Sequence, residues 1–133
     1  FKKLSLEEFS KVQFNVFPTY FKFQIVSPLI LGLLSPYKYC PFTLGALVAS
    51  SISGLINLVF VEPACHSIKE ERIKLTAINK DKKENGELSD EMQALNKKFG
   101  RWHGLSLLAN LVSIFSLGAY GLASAKALSR LPY

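Results

Sequence analysis

The side chains able to do chemistry in this 133-residue chain are polar ones set inside apolar stretches. His103, Ser106 and Asn110 recur at i, i+3 and i+7, with Ser113 after them, so on a helix they form one stripe. Asn57 lies in an earlier apolar stretch and Glu62 just past its end. On helices, Asn57 sits about 7 Å deeper than Glu62, and Asn110 about 10 Å deeper than His103. Two antiparallel helices entering from one face would therefore pair Glu62 with His103 near the surface and Asn57 with Asn110 below. Polar groups in hydrocarbon are costly unless partnered, so this arrangement has two readings. In the first, the seam Asn57, Glu62, His103, Ser106 and Asn110 fixes helix register, each interhelical bond contributing about 0.6–2 kcal/mol. In the second, the carboxylate and imidazole at its mouth bind a proton, a cation or a polar headgroup.

Other chemistries lack their residues. Glu62, Cys65, His66 and His103 are metal-ligating types, but they have no repeated spacing like that of structural zinc sites. There is no G-x-S-x-G, no phosphate-cradling glycine loop and no H-E-x-x-H. No catalytic residue, metal or cofactor is assigned, and the expectation is a protein that is not an enzyme.

The elements that must position the seam are membrane helices. Residues 41–61 carry no formal charge, and a helix of that length crosses a hydrocarbon core about 30 Å thick. Ala46, Ser50 and Gly54 recur at every fourth position there, a small-residue face that lets a neighbouring backbone approach. Residues 17–35 are also apolar enough to span. Lys22 is near one end, where it can snorkel, and Pro28 predicts a kink at the Gln24 carbonyl. Residues 103–125 form the third span. Before the first, Ser5 and Glu8 make a capping box that predicts an amphipathic interfacial helix over 5–17, bent or restarted at Pro18. The short connection 36–41 makes spans one and two antiparallel neighbours, with Tyr20, Tyr37 and Tyr39 marking interface levels. Residues 62–102 are polar but keep helical apolar spacing (Ala64, Ile68, Leu75 and Ile78, then Leu88, Met92, Leu95, Phe99 and Trp102) about a turn at Asn85-Gly86, with Ser89 as an N-cap. That predicts a helical hairpin outside the membrane. The fold class is thus all-α, one multi-pass transmembrane helical bundle over 1–133 with three spans and a projecting polar hairpin.

On averages alone, 49% hydrophobic and 20% charged residues would suit a soluble domain, but here the charges are gathered into blocks. The net charge of +6 comes without aromatic-studded basic patches, which argues against nucleic acid as a partner. Cys40 and Cys65 fall near opposite ends of one span, too far apart for a disulfide, and are expected as free thiols. Lys2 and Lys3 are followed by SLEEF, unlike a cleavable signal peptide. Basic residues near the membrane ends favour the side with Lys2, Lys3, Lys11, Lys69, Arg72, Lys74, Lys97, Lys98 and Arg101 over that with Lys38, Lys126 and Arg130. The positive-inside rule therefore places the hairpin in the cytoplasm, or in the matrix of a mitochondrial inner membrane as against the endoplasmic reticulum or a related endomembrane.

Residues 7–21, EEFSKVQFNVFPTYF, carry a block of Gln13, Asn15, Phe17, Pro18, Tyr20 and Phe21. Glu62-Pro63 with Glu71-Arg72, and Phe99, His103, Ser106 and Asn110-Leu111, follow in order. In these blocks the chain resembles the transmembrane protein 205-like domain family. The resemblance implies a multi-pass helical membrane domain, usually of four spans, with a poorly defined molecular activity and no catalytic residues to carry over. The family's usual first span has no counterpart in this sequence, which opens where that span would end, as expected of a trimmed chain or of a lineage that has lost the helix.

The functional expectation is an integral membrane scaffold or accessory subunit. It would use the hairpin and the Ala46, Ser50, Gly54 face to contact other membrane-protein subunits, with the lipid bilayer as its surroundings and no identifiable small-molecule substrate. The alternative is a small transporter or binding protein for a cation or polar small molecule, working through the polar seam.

Overall fold

The computed structural model describes residues 6–35 and 40–130, and of the described residues 86% are helical with no strand. The protein is all-α. Its helices are α1 (Leu6–Leu33), α2 (Pro41–Ile56), α3 (Glu62–Ala77) and α4 (Asp90–Leu128), with a π-helical turn, Asn57–Val61, joining α2 to α3 without a break. Three continuous helical stretches, Glu8–Leu33, Pro41–Ala77 and Asp90–Leu128, are long and apolar enough to cross a membrane. This makes the chain a multi-pass membrane protein. Ser5, Tyr37, Tyr39, Lys2 and Lys3, which carried the expected capping box, interface levels and part of the charge asymmetry, lie outside the described residues.

The interfacial helix and first span expected to part at Pro18 are one helix, α1, with Pro18 and Pro28 inside it. Each proline removes one donor from the helical ladder. The adjoining hydroxyls fold back onto the same backbone: Ser27 Oγ donates to the Phe23 carbonyl at 2.7 Å and Thr19 Oγ1 to the Asn15 carbonyl at 3.5 Å. Losing one bond in a long helix costs less than exposing a chain break to lipid, so the helix continues.

Helix α2 starts at Pro41, where a missing N–H costs nothing, and Cys40 caps it: Thr43 N–H reaches the thiol at 3.4 Å and the Thr43 hydroxyl accepts from the Cys40 N–H at 3.3 Å. This helix is the centre of the bundle, packed by α1 on one flank and α4 on the other. Its buried residues are Thr43, Leu47, Ser50, Ser53 and Gly54, so the interior is rich in small and polar side chains. Large apolar residues such as Phe23, Leu33, Leu108 and Phe115 face outward. That inversion suits a protein whose solvent is hydrocarbon, where close backbone approach and interhelical hydrogen bonds hold helices together.

Outside the span, α3 and the first turns of α4 form the hairpin, with Ile68 and Met92 buried. Helix α3 ends in a Schellman motif: Asn79 adopts φ 53°, and the Lys80 and Asn79 amides return to the Leu75 and Thr76 carbonyls at 2.9 and 3.1 Å. The turn passes Gly86 at φ 83°, where a side chain would be strained, and closes with an isolated Lys82–Leu88 bridge. Ser89 caps α4 by accepting from the Met92 N–H at 3.2 Å.

Candidate functional site

The polar seam forms between α2 and α4, and its deep half is as the stripe spacing predicts. Asn57 Nδ2 donates to Asn110 Oδ1 at 3.1 Å. Farther in, Ser50 and Ser113 share a hydrogen bond of 2.7 Å, and both are buried. Ser50 and Asn57 are seven residues apart and Ser113 and Asn110 three, so both pairs fall along one antiparallel contact line. Helix α1 joins from the other side: Ser51 Oγ donates to the Ile25 carbonyl at 3.1 Å. Near the opposite end of the bundle, the Tyr120 hydroxyl of α4 donates to the Leu31 carbonyl at 3.2 Å, in the last turn of α1.

The shallow half differs from expectation. Glu62 is half-buried and His103 is exposed, and among the described residues they share neither a hydrogen bond nor an ion pair. His103 instead stacks on Phe99 of its own helix, ring centroids 5.8 Å apart and planes at 7°. Ser106 is half-buried without a bond to α2. The cause is the π turn between Asn57 and Glu62, where the Glu62 amide reaches back five residues to the Asn57 carbonyl. The additional residue in that turn rotates everything after it by about 100° relative to an α-helical continuation. Pro63 favours the wide turn, because it has no N–H for the Val59 carbonyl and its ring would crowd that group.

The small-residue face is also divided differently. Ala46, Ser50 and Gly54 do not present one surface to an outside partner: Ser50 is taken by Ser113, and Gly54 is covered by α1. A Cβ on Gly54 would stand 3.0 Å from Ile25 Cγ1 and 3.2 Å from Gln24 Cβ, so glycine is what lets α1 approach this closely without a shift of those side chains. Ala46 lines a shallow open groove with Phe115 and Ala119 of α4. The stripe serves two neighbours because α2 is flanked on both sides.

Two buried acceptors have no partner among the described residues, Gln24 Oε1 and Asn57 Oδ1. Side chains on a helix lean toward its N-terminus, and α1 runs antiparallel to α2, so Gln24 leans from Gly54 toward the level of Asn57. In the sequence the signal for Gln24 is its polar amide within an apolar run.

A second cluster, whose members share no sequence motif, sits at the base of the hairpin. The Lys69 ammonium lies 4.3 Å from the Phe14 ring centroid and 5.7 Å from that of Phe99, and donates to Gln13 Oε1 at 3.3 Å. The Arg72 guanidinium lies 5.7 Å from the same Phe99 ring. Phe14 also packs on His66, centroids 4.5 Å apart, and His66 Nδ1 is 3.4 Å from Glu70. Burial chiefly, with Arg72's like charge, holds the Lys69 ammonium below the usual lysine range. Cys40 and Cys65 are both free thiols. Among the described residues no three His, Cys, Asp or Glu side chains converge as a metal-holding group.

Fold and seam together define a polytopic α-helical membrane protein whose spans are joined by neutral polar contacts. The chain belongs to the family described as a domain of unknown function, DUF4149, whose model matches residues 1–74, the portion containing α1, α2, the π turn and most of α3. Compared with curated proteins and with solved structures, the chain matches none.

Proposed function

We propose that this chain is a non-catalytic integral membrane scaffold or accessory subunit that engages other membrane-protein subunits through its hairpin. The carrying observation is an open groove of about 500 Å³ along the hairpin, floored by Leu75, Ile78, Ala94 and Leu95 and rimmed by Glu71, Lys74, Glu91 and Lys98. An apolar floor with a rim of both charge signs on a water-facing element is the anatomy of a protein contact. The helices bearing it run unbroken into the spans, so a partner held there is held rigidly to the membrane. The positive-inside distribution directs the hairpin to the cytoplasm or matrix, in an endoplasmic-reticulum-type or mitochondrial inner membrane. Kinship with the transmembrane protein 205-like domain family is part of this reading. Replacing Leu75 and Leu95 by Asp is expected to remove a stoichiometric co-purifying membrane subunit while the mutant chain accumulates normally. A monodisperse monomer from native membranes in mild detergent would contradict the reading.

The unpartnered Gln24 and Asn57 acceptors favour a second reading, a small transporter or binding protein for a cation or polar small molecule. In that case Asn57→Ala abolishes uptake without changing assembly; as a scaffold, the same change alters stability and leaves flux untouched.

A further inference from the structure

The seam is neutral, whereas the Lys69 cluster carries two positive charges that nothing described offsets at ion-pair distance. Lys69 and Arg72 are one turn apart on α3, and both reach toward Phe99. Ring faces orient and hold cations without cancelling their charge. Glu62 attracts Lys69 but lies outside ion-pair distance, and Glu70 is engaged with His66. Gln13 takes one of the three ammonium protons, leaving two, and the Arg72 fork is open. Such a pair is prepared for an oxyanion.

The level of the cluster says which one. Gln13 and Phe14 touch Lys69, so the first turns of α1 stand beside it. On the membrane side of that contact, Val16, Phe17 and Tyr20 of α1 are exposed, Val16 to 54%. An apolar flank is tolerated there if it faces acyl chains, which puts the headgroup belt just above it, at Lys69 and Arg72. We propose that Lys69, Arg72 and Gln13, framed by Phe14 and Phe99, form a binding site for the phosphate of an anionic phospholipid in the leaflet on the hairpin side, with its acyl chains along Val16 and Tyr20. The site goes beyond the scaffold reading and does not depend on it.

The test uses the full chain in nanodiscs of phosphatidylcholine mixed with phosphatidylglycerol, reading retained lipid by native mass spectrometry. Wild type is expected to retain phosphatidylglycerol preferentially, and the Lys69→Gln, Arg72→Gln double variant to lose that preference by about tenfold or more. A charge-matched Lys80→Gln, Lys82→Gln control at the hairpin tip is expected to keep it. Equal preference in both double variants would overturn the site in favour of general belt electrostatics. Displacement of the retained lipid by inorganic phosphate would overturn the lipid as its source. As a second measurement, independent of how the variants fold, wild type is labelled with phosphatidylglycerol carrying a headgroup-proximal photoreactive group. Adducts confined to 9–17 and 66–72 support the site, and adducts absent from both stretches overturn it.

Discussion

At the residue scale, Asn57 is the side chain on which most converges. It is fully buried, gives its amide protons to Asn110 and begins the π turn. Replacing Asn57 by Ala strips Asn110 Oδ1 of its donor, and replacing Asn110 strips the Asn57 amide of its acceptor. A double-mutant cycle measured by unfolding in bicelles should return a coupling of about 0.6–1.7 kcal/mol; a value near zero would mean that the two amides do not meet in the membrane. Ser50 and Ser113 make the contrasting case, two hydroxyls that satisfy each other. Removing both should be less harmful than removing either one, since an orphaned buried hydroxyl costs about 1–3 kcal/mol. Gly54→Ala pushes a methyl against Ile25 and Gln24, which must shift to admit it, and is expected to destabilise the bundle by about 1–3 kcal/mol in the same assay.

At the element scale, the spans and the hairpin were legible because their causes are local: uncharged length, apolar spacing, Asn85-Gly86, and Ser89 as a cap. The Asn57–Asn110 pair was legible too, because depth along two antiparallel helices follows from residue counting. The Glu62–His103 pair was not, because counting assumes an uninterrupted α-helical phase and the π turn falls between Asn57 and Glu62. Pro63 is the residue in the sequence that bears on this turn, because it withholds an N–H from the Val59 carbonyl. The split of Ala46, Ser50 and Gly54 between α1 and α4 depends on which helix is central, a tertiary fact that periodicity does not contain. Nor does it contain the Lys69 cluster, whose members come from three helices far apart in sequence. The π turn has a testable consequence. With Pro63→Ala, α2 and α3 should join in one α-helical phase, turning Lys69 away from Gln13. Spin labels at 13 and 69 are then expected to lie farther apart with Pro63→Ala than in the parent; an unchanged distance would remove proline as the cause.

At the scale of the whole molecule, a neutral, partly polar interior and an apolar exterior leave the bilayer as the medium in which this bundle is stable. Cys40 precedes α2 and Lys80 follows α3, so with Cys65 changed to Ser, Cys40 and a cysteine replacing Lys80 should react with membrane-impermeant maleimide from opposite faces. Labelling of both from one face would refute the crossing of α2. The most direct test of the bundle itself replaces Ser50 and Ser113 by Cys after changing Cys40 and Cys65 to Ser, and oxidises the protein in native membranes. Their hydroxyl oxygens lie 2.7 Å apart, close to disulfide reach, so near-complete intramolecular cross-linking is expected, with none for Ser50 paired to the outward-facing Leu108 position. Equal cross-linking at the two positions, or none at Ser113, would contradict a polar seam joining α2 to α4.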